Sequence, residues 1–285
     1  MRLETEEEKQ NFGDLGMRIG NKEFDTANYT YIMGILNVTP DSFSDGGKWS
    51  DLDAALFHTE EMIRDGAAII DVGGESTRPG YTILPDEEEI ERVVPVIRAI
   101  RERFDIPVSL DTYKSGVALA GLEAGADMIN DIWGLKYDAA MADVIAKAGA
   151  PCCLMHNRKA PDYGDYVKDL LADLEETLEI AQRAGIPYKN ICLDPGVGFG
   201  KTYENNLEII HKLDALHTFG LPILLGTSRK SVIGLTLDLP ANERLEGTLA
   251  TTVIGVMKGV SFVRVHDVKE NARAVKMTEA VLNAG

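Results

Sequence analysis

Cysteine, long apolar runs and targeting signals are scarce in this sequence. Its cysteines are Cys152, Cys153 and Cys192, an odd number that matches neither a CxxC pair nor a metal-ligand spacing. No apolar run approaches the roughly 18 residues that span a bilayer, and the charged first ten residues lack the apolar stretch of a signal peptide. We therefore expect a cytoplasmic protein with reduced, buried thiols and no membrane partner.

Basic side chains are also in short supply. The 285 residues include 29 basic and 46 acidic side chains, and the formal charge is −17. Nucleic-acid-binding proteins usually present a basic face, so no nucleic-acid partner is expected. A small anionic ligand is still compatible with this charge, because the total says little about one local site. The motifs GxxxxGK[ST], HExxH and GxSxG are absent, which argues against P-loop, zincin and serine-hydrolase chemistry.

The main positive signal is an alternation of short β-branched runs with longer segments of helical period. This alternation is typical of βαβ units with a parallel sheet. The predicted strands are residues 31–36, 67–72, 107–110, 128–131, 151–155, 191–193, 223–225 and 262–265. The predicted helices are residues 52–64, 86–103, 117–123, 139–147, 166–184, 204–212, 243–257 and 268–282, with 228–242 as a long connection.

Eight strands that are each followed by a helix predict an α/β fold of the (β/α)8 TIM-barrel type, for which about 250 residues is usual. Length alone would suggest two domains, because domains of about 150 residues are common, but barrels often exceed that size. We predict a single barrel domain over residues 29–285 and a short N-terminal extension over residues 1–28.

Polar side chains stand where three predicted strands end. Asp111 follows the third strand, Asn130 ends the fourth, and Asp194 follows the sixth. Barrel active sites lie at the carboxyl ends of the strands, so these groups should face one mouth. Capping of the following helix is the alternative role for each aspartate.

Cationic groups follow the last two predicted strands, where barrels commonly bind phosphate. Lys230 comes after the seventh strand, and Arg264 and His266 come at the end of the eighth. A local basic site in an acidic protein indicates an anionic substrate. The alternative is an exposed lysine and an arginine that is paired elsewhere.

Two long loops follow the first and second predicted strands. Residues 37–47 are polar and rich in glycine, which suits phosphate oxygens or a hard cation. Residues 73–80 contain paired glycines and Arg78, which could bind a phosphate through two hydrogen bonds. Ordinary turns and a solvated arginine are the alternatives. Together, the mouth suits a planar heterocycle that carries a diphosphate, and displacement of the diphosphate is favoured over hydrolysis or redox chemistry.

The segments at the strand ends resemble those of the dihydropteroate synthase family, the pterin-binding enzymes of folate biosynthesis that sulfonamides inhibit. They are MGILNVTPDSFSDGG, DVGGESTRPG, SLDTYK, INDIWG, LMHN, LDPGVGFGKT, LLGTSRKS and VRVHDV, over about residues 33–266. The resemblance implies a transferase that condenses 6-hydroxymethyl-7,8-dihydropterin diphosphate with 4-aminobenzoate to 7,8-dihydropteroate and diphosphate. It also implies Mg²⁺ and a homodimer.

The resemblance implies a role for each matching position. The pterin would contact Asp111, Asn130, Asp194, Lys230 and Arg264. The diphosphate would contact Asn37, Thr77, Arg78, Arg264 and His266. The aminobenzoate would contact Phe43, Thr77, Pro79 and Ser231, and Mg²⁺ would lie by Asn37 and Asp45. The catalytic set would be Asp111, Lys230, Arg264 and His266.

A dissociative, SN1-like displacement fits these groups, because an arylamine is a weak nucleophile and the enzyme gains most by assisting departure of the diphosphate. Three other functions stay open. A methyltetrahydrofolate-binding methyltransferase shares the pterin residues but needs no diphosphate loops. A Schiff-base aldolase would use Lys230 as its nucleophile. A non-catalytic pterin-binding paralogue would retain the site without turnover.

Overall fold

Eight parallel strands form the centre of the molecule. The computed structural model describes residues 16–38, 48–75 and 83–284, with only the main chain described at 48–50. A hairpin of β1 (Gly16–Ile19) and β2 (Lys22–Asp25) precedes the barrel strands. These are β3 (Tyr31–Asn37), β4 (Ile69–Gly73), β5 (Val108–Asp111), β6 (Met128–Asp131), β7 (Cys152–Met155), β8 (Ile191–Asp194), β9 (Leu224–Leu225) and β10 (Phe262–Val265).

The parallel strands pair in the order β8, β7, β6, β5, β4, β3, β10 and β9. A parallel bridge between Leu193 and Ile223 brings β8 beside the segment that leads into β9, and the Leu193 N–H donates to the carbonyl of Pro222 over 2.9 Å. The sheet therefore comes close to closing on itself. The prediction of a (β/α)8 TIM barrel is confirmed.

Helices separate the strands and cover the outside of the barrel. In the described part of the chain they are α1 (Lys48–Asp65), α2 (Asp86–Arg103), α3 (Ser115–Ala124), α4 (Met141–Ala148), α5 (Tyr166–Ala184), α6 (Tyr203–His211), α7 (Ser231–Leu237), α8 (Leu245–Met257) and α9 (Val268–Leu282). The end of α5 shows why the sequence stops a helix there: Gly185 has a φ of 86°, a left-handed conformation that glycine adopts without strain. None of the described helices is long and apolar enough to cross a membrane.

The hairpin of β1 and β2 closes the amino-terminal end of the barrel. Its Met17, Ile19 and Phe24 are buried against residues that point into the barrel interior, including Met33 and Phe262. The rings of Phe24 and Phe262 lie 5.7 Å apart in an edge-to-face arrangement. This hairpin lies within the region that we predicted only as an extension. The residues Gly20 and Asn21 between two short alternating runs are a hairpin signal, although no hairpin was predicted here.

The predicted long connection at 228–242 is the clearest error, because it contains helix α7. The seven residues of α7 are too few to produce a helical period, and tertiary contacts hold them. The Arg244 side chain donates to the carbonyl of Arg229 at 2.9 Å and to that of Leu239 at 3.0 Å, so it links both flanks of the helix. A side chain at Gly234 would collide with the same guanidinium, which explains the glycine.

Candidate active site

Arg264 on β10 is the centre of a buried ion cluster at the carboxyl ends of the strands. Its Nε donates to Oδ2 of Asp71 over 2.5 Å, and its Nη2 donates to Oδ2 of Asp111 over 2.6 Å. The same oxygen of Asp71 accepts a hydrogen bond from Nδ2 of Asn130 at 3.2 Å. Three of the predicted site residues, Asp111, Asn130 and Arg264, are therefore brought together by a fourth side chain, Asp71.

Strand pairing places these groups at one level. Gly73 of β4 pairs with Asp111 of β5, and Asp111 pairs with Asn130 of β6. Side chains two residues apart in a strand point to the same face, so Asp71 lies below Gly73 on the inner side of the barrel. Glycine at position 73 leaves the space above Asp71 open: a Cβ there would lie 3.6 Å from Oδ1 of Asn37 and 3.7 Å from Oδ2 of Asp111.

Asp194 and Lys230 form the other side of the mouth. One oxygen of Asp194 accepts a hydrogen bond from the backbone N–H of Gly196 at 2.6 Å. Nζ of Lys230 donates to the carbonyl of Val197 and lies 4.6 Å from the centre of the Phe199 ring. The segment after β8 therefore holds the Lys230 ammonium through a backbone carbonyl and an aromatic ring.

The mouth perturbs the ionisation of these side chains. Burial raises the pKa of Asp111 to about 7, against the opposing effect of Arg264, and the charge of Asp71 adds to the rise. Burial also raises the pKa of Asp194 and lowers that of Lys230 to about 8, while the attraction between these two charges opposes both changes. Burial alone would lower the pKa of Arg264, but Asp71 and Asp111 outweigh it and keep the guanidinium charged.

Several buried oxygens of the mouth have no hydrogen-bond partner among the described residues: Asp71 Oδ1, Ser109 Oγ and Asp111 Oδ1. Buried polar atoms are nearly always paired in native proteins, so these oxygens are suited to N–H donors of a ligand or to water. With the donors of Lys230 on the opposite side, the mouth matches a planar heterocycle that carries both N–H and C=O groups.

The remaining described site residues lie at the rim. His266 follows β10, and its Nδ1 lies 2.9 Å from the hydroxyl of Ser228. Ser231 is the exposed first residue of α7. Asn37 ends β3. The other predicted site residues, Phe43, Asp45, Thr77, Arg78 and Pro79, lie outside the described residues.

Asn37 is the described residue best placed to bind a cation. Mg²⁺ prefers oxygen ligands and usually takes one or two from the protein and others from substrate phosphates. The amide oxygen of Asn37 borders the same open space as Oδ2 of Asp111. Among the described residues there is no group of three or more His, Cys, Asp or Glu side chains that could hold a metal. The donors therefore fit a Mg²⁺ ion that is shared with a diphosphate and do not fit a dedicated protein cage.

Asp71 is fully buried and was not among the predicted site residues. A signal for it was present, since an aspartate interrupts the apolar run AAIIDV. A carboxylate is almost never fully buried unless it is paired, so its position inside a predicted strand indicated a buried cation nearby. The missing information was the partner, Arg264, which lies 193 residues away in the chain.

A second buried ion cluster was also missed. Nζ of Lys114 lies 2.6 Å from Oε2 of Glu75 and 2.7 Å from Oε2 of Glu89, and all three side chains are almost fully buried. The same ammonium donates to the carbonyl of Leu84 over 2.8 Å, and Oε2 of Glu75 accepts from the Leu84 N–H over 2.8 Å. Glu75 and Leu84 flank residues 76–82, so the cluster holds both flanks together close to the mouth.

Comparison with known proteins agrees with this geometry. The family model described as "Pterin binding enzyme" matches residues 33–266. A dihydropteroate synthase from Clostridium beijerinckii is 62% identical over 267 residues, which cover 93% of this chain and 99% of that protein. The structure of a dihydropteroate synthase from Clostridium difficile in the presence of pteroic acid is 51% identical, with a TM-score of 0.89 and coverage of 90% and 98% of the two chains. That of Xanthomonas albilineans dihydropteroate synthase with 4-aminobenzoic acid is 38% identical, with a TM-score of 0.91 and coverage of 95% and 100%.

Proposed function

Because the chain belongs to the dihydropteroate synthase family of pterin-binding enzymes, which are transferases, we propose that it condenses 6-hydroxymethyl-7,8-dihydropterin diphosphate with 4-aminobenzoate. The products are 7,8-dihydropteroate and diphosphate, as the family's place in folate biosynthesis requires. The observation that carries the proposal is the buried mouth in which the Asp71, Asp111, Asn130 and Arg264 cluster faces Asp194 and Lys230.

The two sides of the mouth would bind opposite edges of the pterin. Asp194 accepts hydrogen bonds from ring and amino N–H groups, and the Lys230 ammonium donates to the ring carbonyl. Asp111 and Asn130 contact the other edge, where Oδ1 of Asp111 has no described partner. The guanidinium of Arg264 lies along the ring face, a geometry that its planar shape allows. These contacts fix the ring before the bond at its methylene breaks.

The reaction then proceeds by departure of the diphosphate. The C–O bond at the methylene breaks and its electron pair leaves with the diphosphate, so positive charge develops on the electron-rich dihydropterin. The carboxylate of Asp111 stabilises this charge electrostatically. The amine nitrogen of aminobenzoate attacks the methylene, forms the C–N bond and releases a proton to solvent. No covalent enzyme intermediate is needed.

Mg²⁺ is part of the proposal, and Asn37 would hold it together with Asp45, which lies outside the described residues. When bound, the ion would neutralise charge on the departing diphosphate. His266, Thr77, Arg78 and Arg264 would contact the diphosphate itself. Phe43, Thr77, Pro79 and Ser231 would line the aminobenzoate site. These assignments rest on the matching motif positions, and the described ones, Asn37, Ser231, Arg264 and His266, lie at the mouth or its rim.

We also propose that two copies of the chain associate and that the protein works in the cytoplasm. Helices α7 and α8 expose several large apolar side chains, namely Leu235, Leu237, Ile254 and Met257, and the two helices contact each other. Such an apolar surface favours a homodimer contact. The free, buried cysteines agree with a reducing compartment. The division into an extension at residues 1–28 and a barrel domain at residues 29–285 stays a prediction.

The decisive experiment measures diphosphate release from purified protein with pterin diphosphate, Mg²⁺ and 4-aminobenzoate. Release that requires aminobenzoate and is matched by formation of dihydropteroate supports the proposal. Lys230→Met is the matched variant, because it keeps the length of the side chain and removes its donor, and it should abolish most of the activity. Absence of release by the wild-type chain would overturn the enzyme assignment in favour of a binding-only paralogue.

A further inference from the structure

A chain of partly buried polar contacts links Lys201 to Arg158, outside the residues assigned so far. Nζ of Lys201 lies 2.9 Å from Nδ1 of His156 and 3.5 Å from the carbonyl of the same residue. It also donates to the carbonyl of Phe199 over 2.9 Å. Nε2 of His156 lies 2.9 Å from Oδ2 of Asp173 on α5. Arg158 binds both oxygens of Asp173, at 2.6 and 3.0 Å.

The direction of the hydrogen bonds in this chain follows from its charges. Burial lowers the pKa of His156 to about 4, so its ring is neutral and carries one proton. Because Asp173 accepts and an ammonium donates, the proton belongs on Nε2 and the acceptor is Nδ1. Burial lowers the pKa of Lys201 to about 7, an effect that the charge of Asp194 opposes. Its nitrogen is a hydrogen-bond donor in both charge states, and the three hydrogens of the charged form have three acceptors, namely Phe199 O, His156 Nδ1 and His156 O.

The segment held by Lys201 supports the side of the mouth that Asp194 and Lys230 form. Residues 195–200 join Asp194 to Lys201 and contain Val197, whose carbonyl accepts from Lys230, and Phe199, whose ring lies under the same ammonium. The backbone N–H of His156 donates to the carbonyl of Asp194 over 2.9 Å. The approach of the two segments is so close that a Cβ at Gly196 would collide with the carbonyl of His156.

Resting on the proposed function, we infer that Lys201 is a positioning residue for the pterin site. It anchors the 195–200 segment on His156 and thereby places Val197 and Phe199 where they hold Lys230 opposite Asp194. In this role Lys201 acts through Val197, Phe199 and Lys230 and not by a contact with the substrate. Loss of its ammonium should let the segment move away from His156, and the Lys230 ammonium should then lose its fixed position.

The test compares Lys201→Met with wild type in steady-state diphosphate release and in calorimetric binding of the pterin diphosphate. We expect KM and Kd for the pterin diphosphate to rise about tenfold or more, while kcat and KM for aminobenzoate change less than about threefold, because the ring is held in both the ground and the transition state. Lys212→Met, which removes an exposed lysine paired with Glu208, is the matched control and should behave like wild type.

A second variant tests the same chain of contacts. Asp173→Asn weakens the far end of the same chain and should raise KM for the pterin diphosphate in the same selective way, even if Lys201→Met does not fold. The inference would be overturned if the folded variants kept the wild-type KM for the pterin diphosphate. It would also be overturned if the KM for aminobenzoate rose by the same factor as the KM for the pterin diphosphate. These results are distinguishable from failure of the proposed function, in which the wild-type chain would release no diphosphate.

Discussion

Asp71→Asn tests whether the carboxylate inside β4 sets the charge state of Asp111. Asp71 is fully buried, and its Oδ2 accepts from Arg264 at 2.5 Å and from Asn130 at 3.2 Å. Asparagine has nearly the same shape and keeps one oxygen for these two donors, but it removes the negative charge. Arg264 is then left with Asp111 as its only charged partner within the cluster.

Two effects follow from the loss of charge. Hydrogen bonds to charged groups contribute about 1.5–3 kcal/mol, so the variant should lose up to about that much unfolding free energy. The larger effect concerns Asp111. Its pKa is raised from 3.8 to about 7, which means that its surroundings disfavour the carboxylate by roughly 4 kcal/mol. The charge of Asp71 is one cause, so its removal should lower the pKa of Asp111 by about one pH unit or more.

Activity should fall at low pH, because Asp111 acts as a carboxylate. In wild type, kcat/KM for the pterin diphosphate should fall as the pH drops through about 7, because Asp111 becomes protonated. In Asp71→Asn this acidic limb should move to lower pH, so the variant retains a larger share of its own maximum at about pH 6.

The assay is diphosphate release at low substrate concentration over a range of pH, with urea unfolding to measure stability. Ser109→Ala is the control, since it removes a neutral buried hydroxyl from the residue that pairs with Asp71, and it should leave the limb in place. A limb that stays fixed or moves to higher pH in Asp71→Asn would refute the electrostatic reasoning.

Three other outcomes can be measured. Lys114→Met leaves Glu75 and Glu89 buried without a cation and should cost about 3–5 kcal/mol in urea unfolding, whereas Lys212→Met, at an exposed lysine, should leave the unfolding free energy nearly unchanged. Phe24→Ala opens a cavity under the barrel and should cost about 3–5 kcal/mol with little change in KM; unchanged stability would show that the hairpin does not close the core. Chelation should stop diphosphate release and added Mg²⁺ should restore it, and full activity in excess chelator would contradict the role of Asn37.

The fold was predictable because a barrel repeats one unit, and each unit leaves a local signal. Each barrel strand was predicted with its ends correct to within two residues, since the buried runs are short and apolar and bounded by turns. Elements that depend on contacts with distant parts of the chain were not predicted. Helix α7 is held by Arg244 and is too short to show a helical period. The hairpin of β1 and β2 leaves only a turn signal between two short runs, and its packing depends on residues at the amino-terminal end of the barrel.

The position of some side chains at the mouth was predictable for the same reason. Strand ends converge in any barrel, so Asp111, Asn130 and Asp194 could be placed at one mouth from their positions alone. The pairing of the side chains could not be predicted in this way. Asp71 of β4 and Arg264 of β10 lie close together because both strands flank β3 in the sheet. Lys201 contacts His156 because the segments after β7 and β8 contact each other. Such contacts depend on side-chain direction and strand register, which no single-sequence pattern records.

The pairing of Arg264 also changes the charge argument. Arg264 and Lys230 were predicted to supply positive charge for an anionic substrate, but in the described part of the mouth their two charges face the three carboxyl groups of Asp71, Asp111 and Asp194. Arg264 already binds two of these groups, so its proposed contact with the diphosphate would add little net positive charge. We therefore propose that the excess positive charge that a diphosphate needs comes from Mg²⁺ and from residues such as Arg78, which lies outside the described part of the chain. Under this proposal turnover should depend strongly on the metal, because the charges of Arg264 and Lys230 in the described part of the mouth are already balanced by carboxyl groups.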